Sequence, residues 1–269
     1  MNNFCIVTGT GRCGTKFLAE LLSLSKAVSA RHDPNPLHLA FHRYTKWYNL
    51  PIDNEGFFSM KENEIKEDLK TADISVHSSA HMAFSIEDLY SRFRCRVVVI
   101  YRSPEKVVNS YYGKGLYKEE YVIRDQTKAI GFQNIGIHPH HFFGRTVPNN
   151  AFFHEWHKLS RVGKLAWMWA AVNRQILKQI GELPKEKLFV TKIEEFDYEN
   201  YLKLAAFLNI SPVDERAFKN LSESKPNKLS TSDTFRVSDW SVAETNDFLS
   251  QVSEMSAILK YDLSHIIRG

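Results

Sequence analysis

The sequence predicts a three-layer α/β protein in which helices cover both faces of a central parallel sheet. First, segments typical of strands alternate with segments typical of helices, as in folds built from repeated strand–helix units. Second, Arg96–Tyr101 is an almost unbroken apolar run, which is typical of a parallel strand buried on both faces. Third, no repeat and no Pro/Gly/Ser-rich linker interrupts residues 1–269, so we expect a single domain.

The spacing of apolar residues gives the bounds of each element. The predicted strands are residues 4–8, 28–31, 74–78, 96–101 and 187–191. The predicted helices are residues 15–25, 36–47, 62–70, 85–93, 104–113, 161–181, 197–208 and 240–260. Residues 116–160 have poor periodicity and many aromatic and histidine side chains. This segment predicts either an irregular surface loop or an inserted lid of helix and loop that forms a ligand pocket.

Composition and charge bound the class of protein. The formal net charge of +4 suits a small anionic ligand, but it is too small and too dispersed to predict binding to nucleic acid. Cys5, Cys13 and Cys95 form no CxxC motif, so we expect free thiols in a reducing compartment. We find no signal segment and no apolar run near the roughly 20 residues of a membrane span. A soluble cytoplasmic protein is therefore expected.

A glycine-rich turn joins the first predicted strand to the first predicted helix. The turn contains Gly9, Gly11 and Gly14, and it leads directly into an amphipathic helix. Glycines let the backbone approach a ligand closely, while the unbonded N–H groups and the dipole of a helix start attract an anion. Arg12 and Lys16 add positive charge at the turn. The segment therefore predicts a site for a phosphorylated ligand.

The turn can be interpreted as one of three kinds of phosphate-binding loop. An ATP or GTP loop requires GxxxxGK[ST], but here Gly14 is followed by Thr15-Lys16 in the inverted order. A dinucleotide loop requires GxGxxG, which the three glycines match, and Asp33 follows at the distance of a ribose-binding acid. An NAD(P)-dependent oxidoreductase is therefore one open alternative. Against it, the chain has no Tyr-x-x-x-Lys pair and no second half with clear signals of its own.

The third interpretation of the turn depends on a second motif further along the chain. Arg102 lies at the end of the central strand, and Ser110 follows eight residues later, two turns into the next predicted helix. An arginine at a strand end and a hydroxyl on the following helix can bind the same phosphate group. This pair predicts a second phosphate site beside the first.

The two motifs together resemble the sulfotransferase family. Residues 9–17 resemble the family's 5′-phosphosulfate loop, and Arg102 with Ser110 and Tyr112 resembles its 3′-phosphate motif, Arg-x₇-Ser-x-Tyr. Weaker similarities lie at 191–196 and 239–241. The resemblance implies a P-loop NTPase-like fold and a sulfotransferase. Its donor would be 3′-phosphoadenosine 5′-phosphosulfate (PAPS), and its product would be 3′-phosphoadenosine 5′-phosphate (PAP), with no metal required.

The resemblance also implies roles for the residues of the glycine-rich turn. Arg12 would stabilise the leaving 5′-phosphate by its charge, because a guanidinium does not readily donate a proton. The backbone N–H groups of Cys13, Gly14 and Thr15 would hold that phosphate, together with the Thr15 hydroxyl. Lys16 would add a second cation.

Other residues are assigned to the rest of the nucleotide in the same way. Phe17 either packs on the adenine or is the first core residue of its helix. Arg102 and Ser110 would bind the 3′-phosphate, and Arg236 or Lys228, in a late basic loop, would complete that site.

The resemblance leaves the base and the acceptor open. Asp33, in a His-Asp-Pro segment after the second strand, is the first candidate base, His77 is the second and His81 is the third. The acceptor would be a small molecule or a glycan, either a carbohydrate or glycolipid hydroxyl or a small metabolite, with residues 116–160 on the acceptor side. The sequence does not predict the oligomeric state.

Overall fold

A computed structural model describes residues 3–119, 122, 146–224 and 235–267. The chain divides into two compact units. The first comprises Met1–Arg102 and Gln175–Lys228, and the second comprises Ser103–Arg174 and Leu229–Gly269.

The first unit contains a sheet of five parallel strands in the order β2-β3-β1-β4-β5. The strands are β1 Phe4–Thr8, β2 Val28–His32, β3 Ile74–Ser78, β4 Arg96–Tyr101 and β5 Leu188–Lys192. Every residue of β1 and β3 is buried, although β3 includes the polar residues Ser75, His77 and Ser78. The predicted parallel sheet is confirmed, and each strand ends within one residue of its predicted bounds.

Helices cover both faces of this sheet. The helices of the first unit are α1 Thr15–Ser23, α2 Pro36–Trp47, α3 Glu55–Asp68, α4 Ile86–Phe93, α8 Tyr198–Leu208 and α9 Glu215–Ser224, with the end of α7 Arg161–Ile180. On one face, Val7 and Val76 share a core with α1, α8 and α9. On the other face, Phe4 packs edge-on against Phe93 of α4, with ring centroids 5.8 Å apart, and Ser75 donates to Asp68 of α3. The three-layer architecture is therefore confirmed.

The second unit is helical in the part that the structure describes. It contains α5 Pro104–Gly113, α6 Phe152–Lys158, the first part of α7, α10 Val242–Ile258 and α11 Ser264–Ile267. Trp156 of α6 is fully buried and packs edge-on against Tyr117. The Arg161 guanidinium lies over the Tyr112 ring and donates to the Leu116 carbonyl. Of the predicted 116–160 insertion, residues 120, 121 and 123–145 lie outside the described residues.

Some helices differ from their predicted bounds. The helix predicted at 62–70 begins at Glu55, because Phe57 and Phe58 at its start pack against His42 and Phe93. Three short helices, α6, α9 and α11, were not predicted. In α9 the side chains of Phe218 and Leu221 pack against the core, so the apolar spacing covers about one turn, which is too short a repeat to predict a helix.

Candidate active site

The glycine-rich turn lies at the point where the sheet reverses its winding direction. β1 and β4 are neighbours, but the chain proceeds from β1 toward β2 and from β4 toward β5, on opposite sides. In open α/β sheets, ligands bind in the crevice beyond the carboxyl ends of two such strands. The turn at residues 9–14 follows β1 and Arg102 follows β4, so both predicted motifs begin at this crevice.

Close packing explains why glycines are needed in this turn. A Cβ on Gly9 would lie 2.3 Å from the carbonyl oxygen of Ile100 in β4, which is too close for any side chain. Gly14 has φ of +110°, and a Cβ there would lie 2.8 Å from Ile193 Cδ1. Directly after Gly14, α1 begins at Thr15, and its first N–H groups have no partner within the helix. The turn therefore offers backbone donors at a helix start, as the sequence predicts.

Arg102 lies against the glycine-rich turn. Its Nη1 donates a hydrogen bond of 2.7 Å to the backbone carbonyl oxygen of Arg12. The structure therefore brings together the beginnings of the two predicted phosphate motifs. Arg12 itself has φ of +55°, a left-handed conformation that is uncommon for residues with a side chain.

Cys13 is fully buried in the same turn. Burial raises the pKa of its thiol to about 11, although backbone hydrogen bonds and the charge of Arg102 partly oppose the shift. The thiol is therefore protonated at neutral pH, and Cys13 can contribute its backbone N–H but no thiolate.

Thr15 is linked to the end of β2 through His32. The Thr15 hydroxyl oxygen lies 3.4 Å from His32 Nε2, and Ser78 donates a hydrogen bond of 2.7 Å to the Thr15 carbonyl. His32 Nδ1 lies 3.4 Å from Asp33 Oδ2. Burial lowers the pKa of His32, and the charges of Lys16 and Arg12 lower it further, while Asp33 opposes them. His32 was not predicted as a site residue, although its position at a strand end beside Asp33 was the available signal.

Asp33 is held at the carboxyl edge of the sheet by β3 and the residue after it. Its N–H donates to the Ser78 carbonyl at 2.9 Å, and the Ser79 hydroxyl donates to Oδ1 at 2.5 Å. The backbone of Asp33 is left-handed, with φ of +49°. Its side chain is 34% exposed, so a ligand can reach the carboxylate. The contacts of His32 connect Asp33 to Thr15 and hence to the glycine-rich turn.

His77 lies on the other face of the sheet. Its side chain is fully buried beneath α3, where Nε2 is 3.1 Å from Asp68 Oδ2 and the ring packs edge-on against Phe4. Burial lowers the pKa of His77, and the Asp68 hydrogen bond opposes that shift. A ligand at the glycine-rich turn cannot reach this ring, so we do not retain His77 as a candidate base. His81, the third candidate, is half-buried in the turn Ala80–Phe84, where its N–H donates to the Ser79 hydroxyl.

Lys16 and Phe17 occupy the first turn of α1. The Lys16 side chain is 43% exposed and pairs with Glu20 at 3.6 Å. Phe17 packs edge-on against Phe196 and Phe218, with ring centroids 6.2 and 6.4 Å away. Phe17 is therefore a core contact of the helix, which was the second of the two roles considered for it.

Ser110 and Arg236 belong to the second unit. Ser110 is half-buried in α5, whose Pro104 occupies the first helical turn as predicted. Arg236 is exposed, and its N–H donates to Asp239 Oδ2 at 2.7 Å, before the turn Val237–Asp239. Lys228 lies outside the described residues.

Comparison with known proteins now identifies the family. A family model described as the sulfotransferase domain matches residues 3–250 of the chain. The chain belongs to the sulfotransferase family. The resemblance found in the two motifs is therefore confirmed, and the dinucleotide alternative gains no support. Comparison of this sulfotransferase with curated protein sequences finds no match.

Solved sulfotransferase structures share the fold. A sulfotransferase domain from the curacin biosynthetic pathway has a TM-score of 0.53 and 13% identity, covering 97% of this chain and 98% of its own. Sulfotransferase STF9 from Mycobacterium avium has a TM-score of 0.58 and 12% identity, and the match covers 97% of this chain and 78% of STF9. The sulfotransferase domain of the Synechococcus PCC 7002 olefin synthase has a TM-score of 0.51 and 11% identity, and the match covers 98% of this chain and 96% of that domain. At these identities the comparison supports the fold alone.

Among the described residues, no group of three or more histidine, cysteine or acidic side chains is arranged to hold a metal ion. In the same part of the chain, every helix is too short or too polar to cross a bilayer.

Proposed function

We propose that this sulfotransferase uses PAPS as its donor and transfers the sulfuryl group to an acceptor hydroxyl. The observation that carries the proposal is the hydrogen bond from Arg102 to the Arg12 carbonyl. It sets a guanidinium beside the turn that we assign to the 5′-phosphosulfate, and PAPS, unlike ATP, carries a 3′-phosphate that such a cation can bind.

In the proposed reaction the acceptor oxygen attacks sulfur in line with the leaving phosphate. A bond forms between that oxygen and sulfur, while the bond between sulfur and the bridging oxygen breaks and its electron pair remains on the 5′-phosphate of PAP. Negative charge therefore grows on the bridging oxygen, as it does in phosphoryl transfer. The N–H groups of Cys13, Gly14 and Thr15, together with the Arg12 charge, would stabilise it.

The acceptor proton goes to Asp33 in this scheme. The carboxylate is exposed to a ligand, fixed by the Ser79 hydroxyl and connected through His32 to Thr15. A base held in this way loses little freedom when the acceptor arrives. His32 would act as a positioning residue that keeps Asp33 and the Thr15 hydroxyl in register.

Ser110, Arg236 and Lys16 keep the roles in donor binding that the family resemblance implies. Ser110 and Arg236 would bind the 3′-phosphate with Arg102. Lys16, which is partly exposed on the first turn of α1, would contribute charge to the 5′-phosphate side.

Ligand-dependent stabilisation tests the choice of donor. A ligand that binds only the folded state raises the unfolding temperature. We expect PAP to stabilise the protein, and ATP and NAD(P) to have no effect at the same concentration. Stabilisation by NAD(P) or ATP without any by PAP would overturn the proposal. Transfer of labelled sulfate from PAPS to an acceptor then distinguishes an enzyme from a protein that only binds the nucleotide.

A further inference from the structure

A buried ion pair in α3 is hydrogen-bonded to the segment that carries Asp33. The Lys61 side chain is 0% exposed, and its Nζ donates a hydrogen bond of 2.6 Å to Oε2 of Glu64, whose side chain is 9% exposed. His77 Nδ1 lies 3.7 Å from the same oxygen. Removing two charges from water costs free energy that their attraction offsets only in part, so a buried pair is weak evidence for stability. Stability alone therefore does not explain why this pair is buried.

Glu64 uses its second oxygen for a contact outside α3. Its Oε1 accepts a hydrogen bond from the side-chain amide of Asn35, which is exposed and lies two residues after Asp33. Asn35 occupies the N-cap position of α2, yet within the described residues its side chain makes no capping bond to that helix. Asparagine is preferred at an N-cap because its side-chain oxygen can accept from the first N–H groups. Here the side chain binds α3 instead of its own helix.

The backbone between β2 and α2 has an unfavourable conformation. Asp33 and Asn35 are both left-handed, with φ of +49° and +50°. Each also precedes a proline, Pro34 or Pro36, and a proline favours extended backbone in the residue before it. Residues in such conformations cost free energy and persist only where contacts from the rest of the fold fix them. The bond between Asn35 and Glu64 is one of the contacts that fix this segment.

We propose that Glu64 is a positioning residue for Asp33 and acts through Asn35. That Asp33 takes up the acceptor proton rests on the proposed function. The buried ammonium of Lys61 anchors the Glu64 carboxylate, so Oε1 is a fixed acceptor for the Asn35 amide. The fixed amide in turn restrains the left-handed backbone on which the Asp33 carboxylate is mounted. A base that is already restrained loses little freedom when the acceptor arrives.

Asn35→Gly tests the link and leaves the buried pair in place. Glycine adopts a left-handed φ readily, so this variant removes the amide without adding backbone strain. The Asp33 N–H, which donates to the Ser78 carbonyl at 2.9 Å, reports on the segment through its hydrogen exchange, measured by NMR. We expect this exchange to be about tenfold faster in the variant. Asn209→Gly, at an exposed left-handed asparagine at the end of α8, is the matched control and should leave it unchanged. Unchanged exchange in Asn35→Gly overturns the proposal.

Two double variants change the acceptor and keep Asn35. Glycine adds backbone freedom of its own, and a comparison at position 64 separates the hydrogen bond from that effect. Lys61→Met with Glu64→Gln removes both charges of the pair but keeps a carbonyl oxygen for the Asn35 amide. Lys61→Met with Glu64→Met removes the charges and that oxygen, and neither variant leaves one partner of the pair as an unpaired buried charge. The Asp33 N–H should exchange about tenfold faster in the second variant than in the first. Equal exchange in the two would exclude Glu64 as the positioning residue.

The rate of sulfuryl transfer separates this inference from the proposed function. The assay measures the release of labelled sulfate from PAPS to water, with PAP affinity determined in parallel. We expect Asn35→Gly to release sulfate about tenfold more slowly and to bind PAP normally, because the donor site is intact and only the base is loosened. A slow Asp33→Asn beside an Asn35→Gly of normal rate overturns the positioning role. If Asp33→Asn keeps its rate, Asp33 is not the base and that step of the proposed function fails, while the exchange rates still decide whether Glu64 positions the segment.

Discussion

Arg102 is the residue on which the proposed donor depends most directly. Removing its guanidinium in Arg102→Ala should weaken PAP binding by about tenfold to a hundredfold, since hydrogen bonds to charged groups contribute about 1.5–3 kcal/mol. Binding of 5′-AMP, which lacks the 3′-phosphate, should change little. Titration calorimetry with the two nucleotides measures the difference, and Lys16→Ala, on the proposed 5′-phosphate side, should by contrast weaken both nucleotides alike. Equal weakening for both nucleotides would show that Arg102 does not bind the 3′-phosphate.

Asp33 carries the prediction about proton transfer. Asp33→Asn keeps the shape of the side chain and an oxygen that can accept the Ser79 hydrogen bond, but its amide cannot take up a proton. The rate of transfer should fall by about a hundredfold to ten-thousandfold while PAP affinity is unchanged. Single-turnover kinetics at saturating PAPS measures this. His77→Gln is the control on the opposite face of the sheet, and a variant of Asp33 that retains most of its rate would exclude it as the base.

At the scale of elements, the turn between β1 and α1 is set by contact with β4. Gly9→Ala would place a methyl group 2.3 Å from the Ile100 carbonyl, so the strand or the turn must shift. We expect a loss of about 1–3 kcal/mol in the free energy of unfolding, together with weaker PAP binding. Gly56→Ala is the matched case in α3, where a Cβ meets open space, and it should gain about 0.5–1 kcal/mol. Urea denaturation compares the two; similar changes in both would mean that the close approach to β4 has no energetic effect.

The sequence predicts where the strands end, but it does not predict which polar side chains a helix buries or what those side chains bind. Because β1 and β4 are both apolar runs, their carboxyl ends were expected at one edge, and Arg102 does lie against the turn after β1. The position of His77 on the opposite face follows from strand alternation once Ser78 is known to face α1. The buried pair of Lys61 and Glu64 in α3 gave no such signal, since both residue types are ordinarily exposed on a helix.

For the whole molecule, two buried histidines make stability depend on pH. Burial lowers the pKa of His42 to about 4 and also lowers that of His77, below the value of about 6.5 expected in the unfolded chain. As pH falls below 6.5, the unfolded chain binds protons that the folded chain does not. Each histidine should therefore cost up to about 1.4 kcal/mol per pH unit as the solution is acidified.

Urea denaturation at about pH 7.5, 6.5 and 5.5 measures this dependence. Stability should fall by about 0.7 kcal/mol between the first two conditions and by about three times as much between the second and the third. His42→Phe and His77→Gln should each reduce the fall. Constant stability over the entire range would contradict the burial of neutral rings.

Asp68 affects stability at lower pH. Burial alone would raise the pKa of its carboxyl, but hydrogen bonds from His77, Ser75 and Ser29 outweigh that effect and hold the pKa at about 2. The contribution of Asp68 to the free energy of unfolding is therefore lost below about pH 4.

The two halves of helix α3 have different surroundings. Its second half carries a buried polar network in which Lys61 pairs with Glu64 at 2.6 Å and Glu64 accepts from the Asn35 amide, two residues after Asp33. Its first half, from Gly56 to Met60, lines a cavity of about 290 Å³ together with residues of α2. Substitutions at positions 56, 57 and 60 could therefore reshape that cavity while the buried pair that begins at Lys61 stays intact.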